Sequence, residues 1–291
     1  VWDDDYDLMA DTITVFTNID SGIASGNVTL VQKGQIINAN RIEYKKDKSQ
    51  DGVSYKAIGN VIIKDSTRVA TCGLAKYDRE NEKTILELEP EIKENNRLLA
   101  GTKITLAYEQ EKLKKLYIPK NAYAITPIRG YQASLIDSNQ VGDSLRFNDK
   151  MEGTSLLGFF ENGKLDSLRI EGMAKTLYHI FEDSIYQGKN NASGDTIAIS
   201  FYDNDLSTIN IIGGSEGKYI PDSLSDGNEY PVTYKASRIT YHLQNDESDF
   251  DGNVNIKHDG TSLDAGFVNV NWKTNMLNAL PRISGDTLSE L

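Results

Sequence analysis

The chain has 291 residues, a net charge of −12 and a hydrophobic content of 38%. An acidic chain is a poor partner for a phosphate backbone, which argues against nucleic acid, and no apolar run approaches the roughly 18 to 20 residues of a bilayer-spanning helix. Cys72, the single cysteine, allows no internal disulfide, and the 3 histidines lack zinc-ligand spacing, so no metal site is expected.

The chain begins Val1-Trp2-Asp3, without Met, and the expectation is that a targeting segment has been removed. Residues 1–11 are acidic, with Trp2, Tyr6, Leu8 and Met9 interspersed. They read as a fraying terminus or a leading edge strand. Ile13 to Phe16 is the first strand. Ala24-Ser25-Gly26-Asn27-Val28-Thr29-Leu30 follows, and it recurs as Ala57-Ile58-Gly59-Asn60-Val61-Ile62-Ile63 and Phe250-Asp251-Gly252-Asn253-Val254-Asn255-Ile256. The shared Gly-Asn-Val is a strand whose glycine supplies a bulge or lets another backbone approach. Companion strands run Ala39 to Tyr44, Cys72 to Tyr77, Ala236 to Tyr241 and Ala265 to Val270. Cys72 reads as a small buried hydrophobe. Pro90 argues against a helix over residues 84–100.

A second frame starts at Gly101, Gly153 and Gly194. In each copy an aromatic stands 7 residues on (Tyr108, Phe160, Phe201), and apolar residues follow it 5, 8 and 10 later. The period predicts a hairpin per copy, with Asn162-Gly163 as the clearest two-residue turn. One hairpin cannot bury its apolar face alone, so the units must stack. The expected architecture is all-β: an elongated, twisted antiparallel jelly roll of stacked hairpin repeats. It runs as one continuous domain over residues 1–291, with a soft boundary near 127–152.

No nucleophile elbow and no phosphate-cradling glycine loop occurs. Carboxylates concentrate in turns, so no catalytic residue, no cofactor and no enzymatic role is expected.

Tandem Ala-x-Gly-Asn-Val strands, each paired with an Ala-x-x-Ile-x-Tyr strand, resemble the OstA-like family of periplasmic lipopolysaccharide-transport proteins. The residues that carry the resemblance are Ala24 to Leu30, Ala39 to Tyr44, Ala57 to Ile63, Cys72 to Tyr77, Leu99 to Ile104, Ala236 to Tyr241 and Gly252 to Val270. The resemblance implies two facing sheets with lipid acyl chains between them, as in a β-taco. It also implies a periplasmic bridge that carries lipopolysaccharide or a related glycolipid toward the outer membrane. Partners would be other OstA-like proteins joined by edge-strand pairing, with head-to-tail self-association as a further mode. Alternation places Val28, Leu30, Val61, Ile63, Ile104, Leu106, Ile197, Ile199, Val254 and Ile256 on inward faces, the expected lipid-binding set. Lys112, Lys114 and Lys115 are candidates for contacting phosphates at a mouth. The competing reading is an extracellular or periplasmic glycan-binding solenoid or sandwich that uses the 15 tyrosines.

Overall fold

The computed structural model describes residues 2–3, 6–32, 34–46, 53–94, 96–130, 145–182, 184–203, 205–222, 230–274, 276–281, 283–284 and 287–288. Among these residues there is no helix, and the strand ladders run antiparallel. The all-β, antiparallel expectation holds. The stretch around residues 127–152 proposed as a soft boundary has its centre, 131–144, outside the described residues. The chain groups into two compact units, Val1–Ala124 with Ser155–Lys164, and Ile125–Thr154 with Leu165–Leu291.

In the first unit, Ser21–Gln32, Gln35–Lys46, Val53–Lys64 and Arg68–Asp78 pair one after another. Each Gly-Asn doublet interrupts its ladder. Between Ser25↔Arg41 and Val28↔Ala39, two residues face the single Asn40. Between Ile58↔Leu74 and Val61↔Cys72, two residues face Gly73. Gly26 and Asn27 have φ of 77° and 46°, and Gly59 and Asn60 have 76° and 49°. Glycine and asparagine are the residues that tolerate this left-handed region, which is why the doublet recurs. Leu88 and Glu89 take the same role at φ of 64° and 56°. They split what would be one strand into Lys83–Glu87 and Glu91–Glu94, and both halves pair with Arg68–Asp78. The neighbouring strand caps the kinks: Asp11 N–H donates to Gly26 O at 2.9 Å, and Gly73 N–H to Leu88 O at 2.8 Å.

The kinks fold the strands over. Gln32 lies at the same end of the ladder as Lys64, through Gln35 and Ile36. Val53 is 11 residues from Lys64, roughly 36 Å away along a straight strand. Yet Val53 N–H donates to Gln32 Oε1 at 3.2 Å, and Gln32 Nε2 donates to Val53 O at 3.4 Å. That contact requires the two halves of each strand to face each other as two layers. Residues 28–32, 35–39, 61–64, 68–72, 91–94 and 97–100 form one layer. Residues 21–25, 41–46, 53–58, 74–78, 83–87, 103–109, 112–118 and 155–161 form the other. Tyr6 and Tyr44, with ring centroids 6.0 Å apart, meet across the interior.

The second unit repeats the device with longer strands: Lys164–Glu182, Ile185–Tyr202, Asp205–Pro221, Val232–His242, Glu247–His258, Thr261–Asn271 and Met276–Leu280. Its positive-φ doublets are Gly172-Met173, Gly213-Gly214 and Gly252-Asn253, each at a register shift. One layer holds residues 174–182, 185–193, 215–221, 232–236, 254–258 and 261–265. The other holds 165–171, 196–202, 205–212, 238–242, 247–251 and 267–271. At the tight turn in the Ser155–Lys164 segment of the first unit, Asn162 and Gly163 have φ of 50° and 81°, as a two-residue hairpin loop requires.

Candidate functional site

The candidate site is the inward face of each unit. In the first unit Val28, Leu30, Val61 and Ile63 lie on one layer and Ile104 and Leu106 on the other, all buried. In the second, Ile197 and Ile199 lie on one layer, buried, and Val254 on the other, also buried. Ile256 is half-buried. The chain's own side chains cover these residues: Leu30, Ile104, Ile197 and Val254 each show 0% exposure. A guest molecule between the layers would have to part them. Burying one such aliphatic side chain contributes about 1.5–3 kcal/mol, so parting is costly unless apolar surface replaces what is lost.

Polar groups sit where the free ends of the two layers meet. In the first unit Gln32 spans to Val53, and Tyr108 bonds Thr84 and Gln35. Arg68, with its guanidinium 5.6 Å from the Phe160 ring, pairs with Asp65 at 3.1 Å and approaches Glu94 at 3.9 Å. Burial pushes the Glu94 carboxyl above its usual range, against the pull of Arg68 and Arg97, and pushes Arg97 below its own.

In the second unit, Asn190 and Tyr234 on one layer meet Tyr241 on the other. Burial raises both phenols, Tyr234 well above the usual value. At another end, Phe147 stacks on Tyr186 at 4.6 Å and lies 4.7 Å from His179. Asp149 Oδ1 accepts both the His179 backbone N–H at 2.9 Å and a contact from Nδ1 at 2.8 Å. Burial raises the Asp149 carboxyl, opposed by His179. Among the described pairings, Leu145–Gly153 meets Lys164–Glu182 over Lys150 to Glu152, and the Asp149 side chain adds a bond to the His179 backbone. Asp149 and His179 are 30 residues apart with no shared motif, so nothing in the sequence marks the pair.

Lys112, Lys114 and Lys115 are exposed, and Lys115 stands over the Phe159 ring at 5.9 Å. A separate open groove of about 500 Å³ is lined by exposed Lys150, Lys175, Lys218 and Lys235. Glu152 and Glu216 offset two of these lysines. Tyr6, Tyr44, Tyr55 and Tyr234 are buried, whereas Tyr117, Tyr202 and Tyr230 are exposed. Among the described residues no cluster of three or more His, Cys, Asp or Glu is placed to hold a metal ion.

The family model described as LptA/(LptD N-terminal domain) LPS transport protein matches residues 7–112. That stretch contains the Gly-Asn-Val copies at 26–28 and 59–61, and over it the OstA-like resemblance holds. No curated protein matches the chain significantly. Among solved structures, the crystal structure of LptH is similar. It is described as the LptA homologous periplasmic component of the conserved lipopolysaccharide transport device from Pseudomonas aeruginosa. The identity is 11%, the alignment covers 49% of this chain and 88% of that one, and the TM-score is 0.36.

Proposed function

We propose, with the family match over residues 7–112 as premise, that the chain is a non-enzymatic periplasmic carrier. It holds lipopolysaccharide or a related glycolipid by its acyl chains and passes it toward the outer membrane. The observation that supports this reading is where the match falls. It lies on the kinked strands of the first unit, whose inward residues Val28, Leu30, Val61, Ile63, Ile104 and Leu106 are aliphatic. The second unit offers Ile197, Ile199, Val254 and Ile256 in the same relation to its kinks. Each methylene transferred from water to such a face contributes about 0.8 kcal/mol. A chain of ten or more methylenes therefore outweighs the few hydrogen bonds that hold the layer ends together, at about 0.5–1.5 kcal/mol each. Lys112, Lys114 and Lys115 contact the phosphates of the guest against the background charge of −12.

Partners dock by strand addition. Among the described pairings, Thr12–Phe16 and Met276–Leu280 each have one neighbour. They carry exposed Val15, Phe16, Met276, Leu277 and Leu280. Such edges are templates for another chain, whether a second OstA-like protein or a head-to-tail copy.

Site-specific photocrosslinking tests the proposal. A photoreactive residue placed at Val61 or Ile197 is expected to capture lipopolysaccharide, whereas the same residue at exposed Tyr117 or Tyr202 is not. Capture confined to Tyr117 and Tyr202 would sink the reading.

A further inference from the structure

The interior of the second unit has a polar ring where an apolar carrier has least use for one. Tyr234 Oη donates to Asn190 Oδ1 at 2.6 Å. Its oxygen then accepts from Tyr241 Oη, 2.7 Å away. Asn190 Nδ2 donates to Tyr241 Oη at 3.3 Å. Three hydrogen bonds close the ring, using both hydroxyl protons and one of the two Asn190 amide N–H groups. Tyr234 and Tyr241 belong to one strand, Val232–His242. They stand on opposite sides of its bend, at the register shift between Lys235 and Arg238. The ring thus spans from one layer to the other. Apolar neighbours adjoin it: Phe250 meets Tyr234 edge-on at 5.3 Å, and Ile239, two residues before Tyr241 in the strand and the register partner of Phe250, has 0% exposure. Tyr241 and Asn190 are half-buried, so the ring stands at the margin of the interior.

Parting the layers takes Tyr241 away from Asn190 and Tyr234. It strands the Asn190 amide N–H, the Tyr234 oxygen and the Tyr241 hydroxyl in an apolar setting, where an unmade hydrogen bond is expensive. A pure hydrocarbon cannot restore them. A guest carrying both a donor and an acceptor at the base of its chain can, by inserting where Tyr241 stood.

We infer that the Asn190–Tyr234–Tyr241 ring is a ligand-selecting site of the second unit. It takes acyl amphiphiles whose chain joins the head group through an amide or carries a hydroxyl, in preference to plain hydrocarbon chains. This rests on the acyl-carrier reading above. A site with unpaired buried polar groups discriminates strongly against a ligand that cannot satisfy them.

The test is a fluorescence titration of the purified full chain with a pyrene-tagged fatty amide and with a pyrene-tagged alkane of equal length. The native protein is expected to bind the amide several-fold more tightly than the alkane. Tyr234→Phe removes the oxygen that accepts from the guest and with it the preference, roughly a three- to tenfold change in the ratio, whereas Tyr241→Phe, at the side chain the guest displaces, leaves the ratio unchanged. Asn190→Leu, which removes the N–H that donates to the guest, is expected to do the same, and it carries the test if circular dichroism shows Tyr234→Phe unfolded. Tyr202→Phe, at a residue 71% exposed, leaves the ratio unchanged. Equal binding of the two probes by the native chain overturns the inference, as does a preference that survives in both Tyr234→Phe and Asn190→Leu. Binding of neither probe overturns the acyl-carrier reading beneath it.

Discussion

Gly194 lies so close to Ile211 that a Cβ built on the glycine would stand 2.7 Å from Ile211 Cγ2. Gly153 stands in the same relation to Ile170, at 2.5 Å, and Gly101 meets Ile118 closer still. In each case the isoleucine comes 17 residues after the glycine (101 to 118, 153 to 170, 194 to 211). All three isoleucines are fully buried. The frame repeats because each isoleucine needs a partner with no side chain. Interiors are close-packed, and a methyl that has no room displaces its neighbours.

Gly194→Ala is accordingly expected to lower stability by about 1–3 kcal/mol, the usual cost of overpacking. The backbone carbonyl of Ile212, 3.1 Å from that Cβ, limits how far the alanine can shift. Ile211→Ala alone leaves a cavity and costs about 2–5 kcal/mol. The double variant should cost measurably less than the sum, because the alanine methyl then fills part of the space. Urea titration of the four proteins measures the coupling, and strict additivity would remove the steric explanation.

This relation was half visible in the sequence. The glycine frame and the Gly-Asn-Val copies are local signals, because only a few residue types tolerate the backbone they require. Val28↔Ala39, Val61↔Cys72 and Val254↔Ala265 are the register partners that the paired motifs suggest. The kinks at Leu88-Glu89 and Gly172-Met173 carry no such motif. At Leu88 the strain is held by the neighbouring strand, through Gly73 N–H on the Leu88 carbonyl. Contacts between layers, such as Gln32 with Val53, join residues whose separation along the chain says nothing about their meeting. The inward placement of Ile104 and Ile197 follows from period-2 alternation; that they are wholly covered by the chain's own side chains does not.

Gln32→Leu should open the first unit at its seam. Gln32 satisfies both the N–H and the C=O of Val53, and Val53 is fully buried. The leucine fills the space but leaves both backbone groups unpaired, at about 1–3 kcal/mol each. The loss should be local, with amide exchange near Val53 accelerating more than in the second unit. Unchanged protection at Val53 and Ser54 would show that the side chain closes nothing.

Cys72 tests whether the layers stay shut. The residue is 8% exposed, and burial pushes its thiol up to about 11. The thiolate is the reactive form, so at pH 8 a maleimide should label native protein slowly, with the rate rising along the urea unfolding curve. Complete labelling within minutes in native buffer would mean that this part of the interior opens readily without a guest.

Glu94 should give the first unit a pH dependence opposite to that of an ordinary ion pair. Its side chain is 10% exposed, and burial raises its carboxyl above the ordinary 4.5 despite Arg68 and Arg97. An acid whose pKa is raised on folding holds its proton more tightly in the folded state. It contributes stability below pH 4.5 that is lost as pH rises through the folded value. Glu94→Gln keeps the shape, removes the titration and so removes this loss. The stability of the variant relative to the native chain should therefore climb from pH 4.5 upward and then level off. Denaturant titrations of both proteins at matched ionic strength across this range measure the difference. A difference that falls with pH would mean that Arg68 and Arg97 stabilise the charge by more than burial penalises it.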